Sequence, residues 1–351
     1  MQEALLKLLR CPVSKQELRC KTISTFVKRY GDKEIEEIKE AILFSDNGFV
    51  FPVINGIPRM LIESVYDYSN FLQLHLPDYE SVKKSIEHTH NDLLKKCDKN
   101  NSNTKASFAF EWGILKATQN DKIWHESPSD LTQRFLLETA SDENNFHNKK
   151  VIDVGCGHGI MTTKIAALSG FAVGMELSKA VEQAYEHNLD IGAHYLQGDL
   201  QFLPFANNTF DILYSSGVLH HTKDTCQALH LINPVLKKGG LICLWLYHPQ
   251  KSIIHNLLLQ IRKITKRMPL KVAFVFLSVF LFPFSFLFKK IKNKRTVNYR
   301  EEMIDLLDGF TPEFRFEIPH EQAIQWLYEL GYHAIQITTT DQFGYSICGI
   351  K

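Results

Sequence analysis

Asp153-Val154-Gly155-Cys156-Gly157-His158-Gly159 is where residue type and spacing point most directly to chemistry. The segment follows an apolar run, Val151-Ile152-Asp153-Val154, and precedes a helical pattern. Glycines there let the chain turn tightly and let a ligand approach the backbone with no Cβ in the way. Glu176 closes the next strand-like run, 23 residues after Asp153, where a carboxylate can accept from both hydroxyls of a ribose. The third run ends in Gly198-Asp199-Leu200, followed by Leu203-Pro204-Phe205. An acid at that place can take the exocyclic amine of an adenine, with apolar neighbours gripping the ring. Each feature alone has a plain structural reading: an ordinary strand-to-helix turn, a helix cap before Ser178, a turn residue. Their arrival at three successive strand ends points to a nucleoside cradle, because ligands in open α/β sheets bind at the carboxyl ends of the strands.

The elements that must position these residues are legible as an alternation. Apolar runs at 151–154, 171–175, 194–196, 211–214 and 241–247 are separated by helix-length segments such as 161–169 and 178–188. Alternating βα units predict a parallel sheet covered on both faces. A helix over 320–330 and strands over 333–338 and 344–350 finish the chain.

The stretches VIDVGCGHG, GMELS, LQGDLQFLPFANNTFDILYSSGVLHH and LKKGGLICLWLYHP resemble, in order and spacing, the class I S-adenosylmethionine-dependent methyltransferases. The branch they look closest to holds quinone-biosynthesis and other small-molecule enzymes. The resemblance implies a Rossmann-like α/β fold with a seven-stranded sheet, in which Gly344–Ile350 is the inserted antiparallel strand. It implies S-adenosyl-L-methionine as cofactor. Asp153, Gly155, Gly157 and Gly159 would lie on its methionine part, Glu176 on the ribose, Asp199 and Leu200 at the adenine, and Ser215 and Gly217 beside it. A dinucleotide oxidoreductase is the rival on glycine content. Its third glycine position, counted from Gly155, holds Ile160 here, and its fingerprint has no use for Asp199.

Methyl transfer is an in-line displacement at a carbon carried by a sulfonium, so the protein mainly aligns a nucleophile and excludes water. A hydroxyl nucleophile gains from a base. His220 and His221, just past the fourth strand, are the candidates, since imidazole titrates near neutrality; the alternative is that they order the loop. Tyr247 and His248 are second choices, and Phe110 and Trp112 are candidate pocket walls or core aromatics.

Two regions flank this core. Residues 1–62 read as a small β-rich domain. Leu8-Leu9-Arg10-Cys11-Pro12 and Phe51–Leu61 resemble the zinc-ribbon-like domain that partners tRNA and protein methyltransferases. A structural zinc wants four ligands in paired spacings such as C-x-x-C, yet Ser14 stands where the cysteine paired with Cys11 would be, and Cys20 has no partner nearby, so no metal is expected. Residues 63–147 read as linker and capping helices, with Lys99–Lys105 marked as linker by composition and Trp124 as an apolar anchor. The domain 148–351 carries an insertion, 249–300, centred on the apolar run Val272–Phe288, which Pro283 divides. A single membrane crossing is excluded because the following helix and strands must return to the sheet. The insertion reads as a lid over the acceptor or as a peripheral membrane contact through 253–295. Its basic flanks, Arg262, Lys263, Lys266, Arg267 and Lys271 before the run and Lys289, Lys290, Lys292, Lys294 and Arg295 after it, suit anionic headgroups.

Composition closes off other classes. Forty Lys and Arg balance 39 Asp and Glu over 351 residues, so no basic surplus marks a nucleic-acid partner. Seven scattered cysteines fit reduced thiols in a cytoplasm better than a secreted disulfide framework. The expected function is methyl transfer to a small, hydrophobic or lipid-linked acceptor. The alternatives are a non-catalytic scaffold, which has no physical need of Glu176 and Asp199, and an RNA or protein methyltransferase, for which Ser215-Ser216-Gly217-Val218 offers no base-binding turn.

Overall fold

A computed structural model describes residues 1–115, 128–293 and 299–351. Trp124, Lys294 and Arg295 lie outside the described residues. After a short helix, α1 (Glu3–Leu8), comes an antiparallel sheet, β1 (Arg19–Tyr30), β2 (Lys33–Phe44), β3 (Val50–Ile54) and β4 (Ile57–Pro58), paired in that order. Asn55 and Gly56 take positive φ, 51° and 80°, as the two-residue turn between β3 and β4 requires.

Helices α2 (Ser64–Asp67), α3 (Ser69–His75), α4 (Tyr79–Leu115, kinked at His90) and α5 (Pro128–Thr139) follow. The stretch Lys99–Lys105 is therefore helical, not linker. Its inward face carries Asn101 and Lys105 because that face rests on the carboxylates of Glu63, Asp67 and Asp199. A polar face that is buried against acids looks, by composition, like a solvated chain.

The main sheet runs β10-β11-β9-β8-β5-β6-β7, from β5 (Val151–Val154), β6 (Ala172–Glu176), β7 (Ala193–Gln197), β8 (Phe210–Ser216), β9 (Leu236–Tyr247), β10 (His333–Thr340) and β11 (Gly344–Ile350). Neighbours from β9 to β7 are parallel, while β11 is antiparallel to both β9 and β10. The seven-stranded sheet and its inserted reversed strand are as expected. Helices α6 (Ile160–Ser169), α7 (Ala180–His187) and α8 (Thr225–Ile232) are the crossovers that parallel strands need. The order reverses at β5, and the carboxyl ends of β5, β6 and β8 meet at that crevice.

The small sheet is joined to the large one. Arg59 forms a parallel bridge to Gln197 on the edge strand β7, with Met60 N–H donating to the Gln197 carbonyl at 2.8 Å. Arg10 N–H donates to the Pro204 carbonyl at 2.8 Å, beside a bridge from Leu9 to Phe205. Leu5, Leu9 and Phe51 share one continuous apolar core with Phe205, Val154 and Leu213. An edge strand that would otherwise offer free N–H and C=O groups is thereby covered.

The insertion comprises α9 (Ile253–Thr265), α10 (Leu270–Phe276), a π turn (Leu277–Leu281) and α11 (Phe282–Asn293), and α12 (Tyr299–Phe310) and α13 (His320–Glu329) lead back to the sheet. Pro283 does not break the run. It sits in the first turn of α11, where a missing N–H costs little, after a π turn that has already widened the ladder. Arg262 leaves the basic flank as well: it is buried, while Lys263, Lys266, Arg267, Lys271 and Lys290 are exposed.

Candidate functional site

A cavity of about 3170 Å³ opens over the carboxyl ends of β5, β6 and β8. Its size exceeds the roughly 300–1,000 Å³ typical for one small ligand, so it has room for two bound molecules. Gly155, Cys156, Glu176, Asp199, Leu200, Gly217 and His221 line it. Asp153, Gly157, Gly159, Ser215 and His220 stand behind that lining.

Each of these has a local reason for its place. Gly155, Gly157 and Gly159 all have positive φ, so the turn itself needs glycine. A Cβ at Gly155 would meet Val218, one at Gly157 the Trp112 ring, and one at Gly159 Ala184 and Tyr195. The glycines thus admit protein neighbours that shape the crevice, whereas Gly217 faces open space. Asp153 accepts from the Thr162 hydroxyl at 2.6 Å, and burial pushes its carboxyl up to about 7. The Ser215 hydroxyl donates to the Val154 carbonyl, tying β8 to β5, and leaves Ser216 to line the cavity.

Glu176 accepts from the N–H groups of Gly157 (3.1 Å) and Ser178 (2.8 Å), so one carboxylate ties the glycine turn to the next loop. Burial raises its pKa against those hydrogen bonds. Asp199 accepts from Gln201 N–H at 2.8 Å and from the Asn101 amide at 3.1 Å, and burial pushes it up to about 6. These two acids stand at the ends of adjacent parallel strands, with Met175, Leu177 and Leu200 around them.

Helix α4 roofs this crevice through one face. Asn101, Lys105, Phe108, Glu111 and Trp112 recur at helical spacing. Trp112 stacks on His158 at 4.5 Å, and Phe108 sets its edge against His221 at 5.8 Å. Phe110 packs away from the cavity lining, edge-on to Phe274. Glu111 is buried and its Oε2 has no partner. Burial, reinforced by Asp308, Glu176 and Asp305, drives its pKa well up. Sequence reasoning missed Glu111. The signal was available, one turn beyond Phe108 and beside Trp112, but only once the polar stretch is known to be helical.

The two histidines part company. His220 is fully buried among Trp245, Tyr247 and His221, and burial lowers its pKa well below the imidazole range. Its Nδ1 accepts from Tyr247 N–H at 3.4 Å. His221 reaches the cavity. Its Nδ1 lies 2.9 Å from the Phe314 carbonyl, which can only accept, and Nε2 stands 3.2 Å from Asp308, off the line of a hydrogen bond. With Nδ1–H donating to that carbonyl, Nε2 is left without a hydrogen-bond partner. Burial alone would raise Asp308, but His221, Tyr247 and His220 outweigh it and hold the carboxylate ionised. Tyr247 donates to Asp308, and the Arg315 guanidinium lies 4.1 Å over the Tyr247 ring. His248 is half-buried outside the cavity lining, within reach of the Asp341 carbonyl. Asp308, Arg315 and Arg262 line the same cavity and were not legible beforehand, since they reach it from helices and loops remote in sequence.

The donor set suits an adenosyl sulfonium. Two carboxylates stand where hydroxyls and an amine need acceptors, and Glu111 is an orphaned acid that a nearby cation would satisfy. Among the described residues no cluster of three or more His, Cys, Asp or Glu could hold a metal ion.

Comparison with known proteins agrees with this geometry. Residues 152–244 match the family model described as a methyltransferase domain. A ubiquinone/menaquinone biosynthesis C-methyltransferase of Teredinibacter turnerae is 34% identical over 141 residues, 36% of this chain and 53% of that protein. A ubiquinone biosynthesis O-methyltransferase of Colwellia psychrerythraea is 29% identical over 110 residues, 30% of this chain and 45% of that one. The chain therefore spans about half the length of the curated relatives it matches. Among solved structures, magnesium protoporphyrin IX methyltransferase from Synechocystis PCC 6803 with bound SAM is 11% identical, with a TM-score of 0.43 over 72% of this chain and 97% of that one. Residues 152–244 are thus similar to a methyltransferase domain, and the sheet order and the glycine turn at its first strand end accompany that match.

Proposed function

We propose that the whole chain is an enzyme that transfers a methyl group to a small, apolar or lipid-linked acceptor. The observation that carries this is the pair Glu176 and Asp199, on adjacent strand ends and facing one cavity with Gly217, Glu111 and His221. S-Adenosylmethionine, when bound, supplies an electrophilic methyl carbon on a good leaving group. Glu176 takes the ribose hydroxyls and Asp199 the adenine amine, exchanging the Asn101 amide for it. Leu200 lies on the ring; the Asp153 and Gly155–Gly159 turn and the Ser215–Gly217 strand end frame the remainder. Trp112 and Phe108 keep water out.

The catalytic role falls to His221, with His220 setting its ring from behind. With Nδ1 against the Phe314 carbonyl and Nε2 toward the cavity, His221 takes the proton that an acceptor hydroxyl releases as its oxygen bonds to the methyl carbon. Calorimetry with S-adenosylhomocysteine on Glu176→Ala and Asp199→Ala tests the cofactor half: both are expected to lose affinity at least tenfold, and unchanged binding refutes it. Incubating the protein with labelled cofactor and a cell extract identifies the acceptor. His221→Ala is expected to cut turnover far more than cofactor affinity.

A membrane-surface role is favoured by a second observation. In Leu270–Leu287 only 11% is buried, Ile253 (89% exposed) and Val275 are exposed outside the cavity lining, and Lys263, Lys266, Arg267 and Lys271 are exposed as well. Lid and membrane contact coexist: α9 buries His255, Arg262 and Thr265 toward the cavity and turns Ile253 and Ile264 out. We place the protein on the cytoplasmic side of a membrane, where its seven free cysteines stay reduced, with no nucleic-acid partner. Residues 1–62 then serve as a zinc-ribbon-like partner domain fused in cis and held by apolar packing. About one zinc per purified chain would contradict the metal-free reading.

A further inference from the structure

The basic side chains at one end of the cavity are unequally partnered. His221, Arg315 and Arg262 stand there. His221 faces Asp308, whose other oxygen takes the Tyr247 hydroxyl. Arg315 donates to Glu317 at 2.7 Å, and that same carboxylate lies 2.7 Å from His255. Arg262 has neither. It is only 7% exposed, its Nη2 donates to the Pro312 carbonyl at 2.6 Å, and its Nη1 finds no acceptor. Asp308 acts on it through space but spends its oxygens on His221 and Tyr247, and Glu313 is exposed, so no carboxylate takes a hydrogen bond from Arg262. Burial together with Arg315 lowers the Arg262 pKa to about 10, which still leaves it charged at neutral pH.

A buried guanidinium half-satisfied by one carbonyl is costly unless something from outside completes it. Its setting says what. Arg262 closes the last turn of α9, whose Leu257, Leu258 and Ile261 continue the cavity wall toward Phe280 and Phe284. The head of the slot is cationic and its wall is apolar.

We infer that Arg262, with Arg315 beside it, binds a phosphate or carboxylate group on an acceptor whose body is apolar, so that the substrate class is an anionic amphiphile. The planar fork of Arg262 presents its free Nη1–H to one oxygen while Pro312 keeps the other side. The group anchors one end of the acceptor beside His221 and leaves the apolar body against α9 and the π turn. This deepens the methyl-transfer reading and rests on it.

Calorimetry on the full-length protein saturated with S-adenosylhomocysteine tests the inference, with dodecyl phosphate below its aggregation limit, octyl glucoside and inorganic phosphate as probes. Dodecyl phosphate is expected to bind, and Arg262→Met to weaken it about tenfold to a hundredfold, the worth of one charge-assisted hydrogen bond. Arg262→Lys should recover part of that loss, and octyl glucoside should not distinguish the variants. Equal dodecyl phosphate binding by wild type and Arg262→Met overturns the inference, as does inorganic phosphate binding as tightly as dodecyl phosphate. Sedimentation with phosphatidylcholine vesicles containing phosphatidylglycerol separates the sources of the anion. Arg262→Met losing dodecyl phosphate but not vesicles marks an acceptor's own group; a parallel loss of both marks a bilayer headgroup. S-Adenosylhomocysteine affinity is read first in each variant, so failure of the cofactor site is distinguishable from failure of the anion site.

Discussion

The two additions to the seven-stranded sheet are built in opposite ways. Residues 1–62 spend their apolar side chains inward: Leu5, Leu9, Phe49 and Phe51 are buried in the same core as Phe205 and Leu213. The insertion leaves its own uncovered: Ile253, Val275 and Val279 are exposed away from the cavity lining, and Leu257, Phe280 and Phe284 are exposed along the cavity's open wall. Both are apolar enough to fold onto something. One covers the sheet edge at β7; the other roofs the cavity with one face and leaves the other for a surface of different chemistry. The first behaves as part of the fold, the second as part of the substrate path.

Removing each region in turn breaks or keeps this contrast. Deleting residues 1–62 strips β7 of its bridge at Gln197 and opens the shared core, so the remainder is expected to be insoluble or molten, measured by expression and near-ultraviolet dichroism. Replacing 253–295 with a short Gly-Ser linker is expected to leave a folded protein that still binds S-adenosylhomocysteine. A folded, cofactor-binding protein from the first deletion would make the N-terminal unit an appendage and erase the difference.

A finer version uses one side chain. Phe205 is fully buried where Leu9 bridges to it, edge-on to Phe210 at 4.9 Å. Phe205→Ala is expected to cost about 3–5 kcal/mol in denaturant unfolding, the range for a deleted core aromatic. A loss below 1 kcal/mol would say that the two sheets share a contact but no core.

How far this was readable from residues differs between the two regions. The main sheet was legible because its strands are short apolar runs, buried on both faces, and its acids fall at their ends: Val151–Val154 with Asp153, Ala172–Glu176, and Gln197 with Asp199 just beyond. The long hairpin β1–β2 was not. Lys33–Ile42 places Ile35, Ile38 and Ile42 at helical intervals among charges, and only pairing with β1 makes it a strand. Helix α4 was hidden by the same mechanism in reverse, since a buried face built of Asn101, Lys105, Ser107 and Glu111 carries no apolar stripe. The acceptor end was invisible because Arg262, Asp308 and Arg315 converge from three separate segments; Arg262 counted as a basic flank until its burial was known.

The acids beneath α4 give a pH signature that belongs to neither flanking region. Asp153 rises from its ordinary value near 3.8 to about 7, so between those values the folded state holds more protons than the unfolded one. Stability therefore falls as pH rises through that window and is level above it. Asp153→Asn keeps an acceptor for the Thr162 hydroxyl and cannot titrate. The variant is expected to gain on wild type between pH 4 and 7, by at most about 4 kcal/mol at about 1.36 kcal/mol per pH unit. Parallel melting curves across the window would show that Asp153 stays ionised in the folded state.

The smallest change in stability should come with a clear change in behaviour. Phe280 and Phe284 are 57% and 76% exposed, so the double variant Phe280→Asp, Phe284→Asp removes little that the folded chain uses. Its unfolding free energy is expected to move by less than about 0.5 kcal/mol, as exposed substitutions do. Cosedimentation with vesicles containing phosphatidylglycerol should nonetheless fall about tenfold or more, because each ring gives up roughly 1.5–3 kcal/mol of burial in the acyl boundary. Charge alone cannot produce that result, since Lys263, Lys266, Arg267 and Lys271 are untouched. If binding persists and disappears only in high salt, the basic residues carry the attraction and the apolar face is a lid waiting for its acceptor. If stability instead drops with the double variant, the face is packed in solution, and the contrast with the N-terminal unit is one of degree.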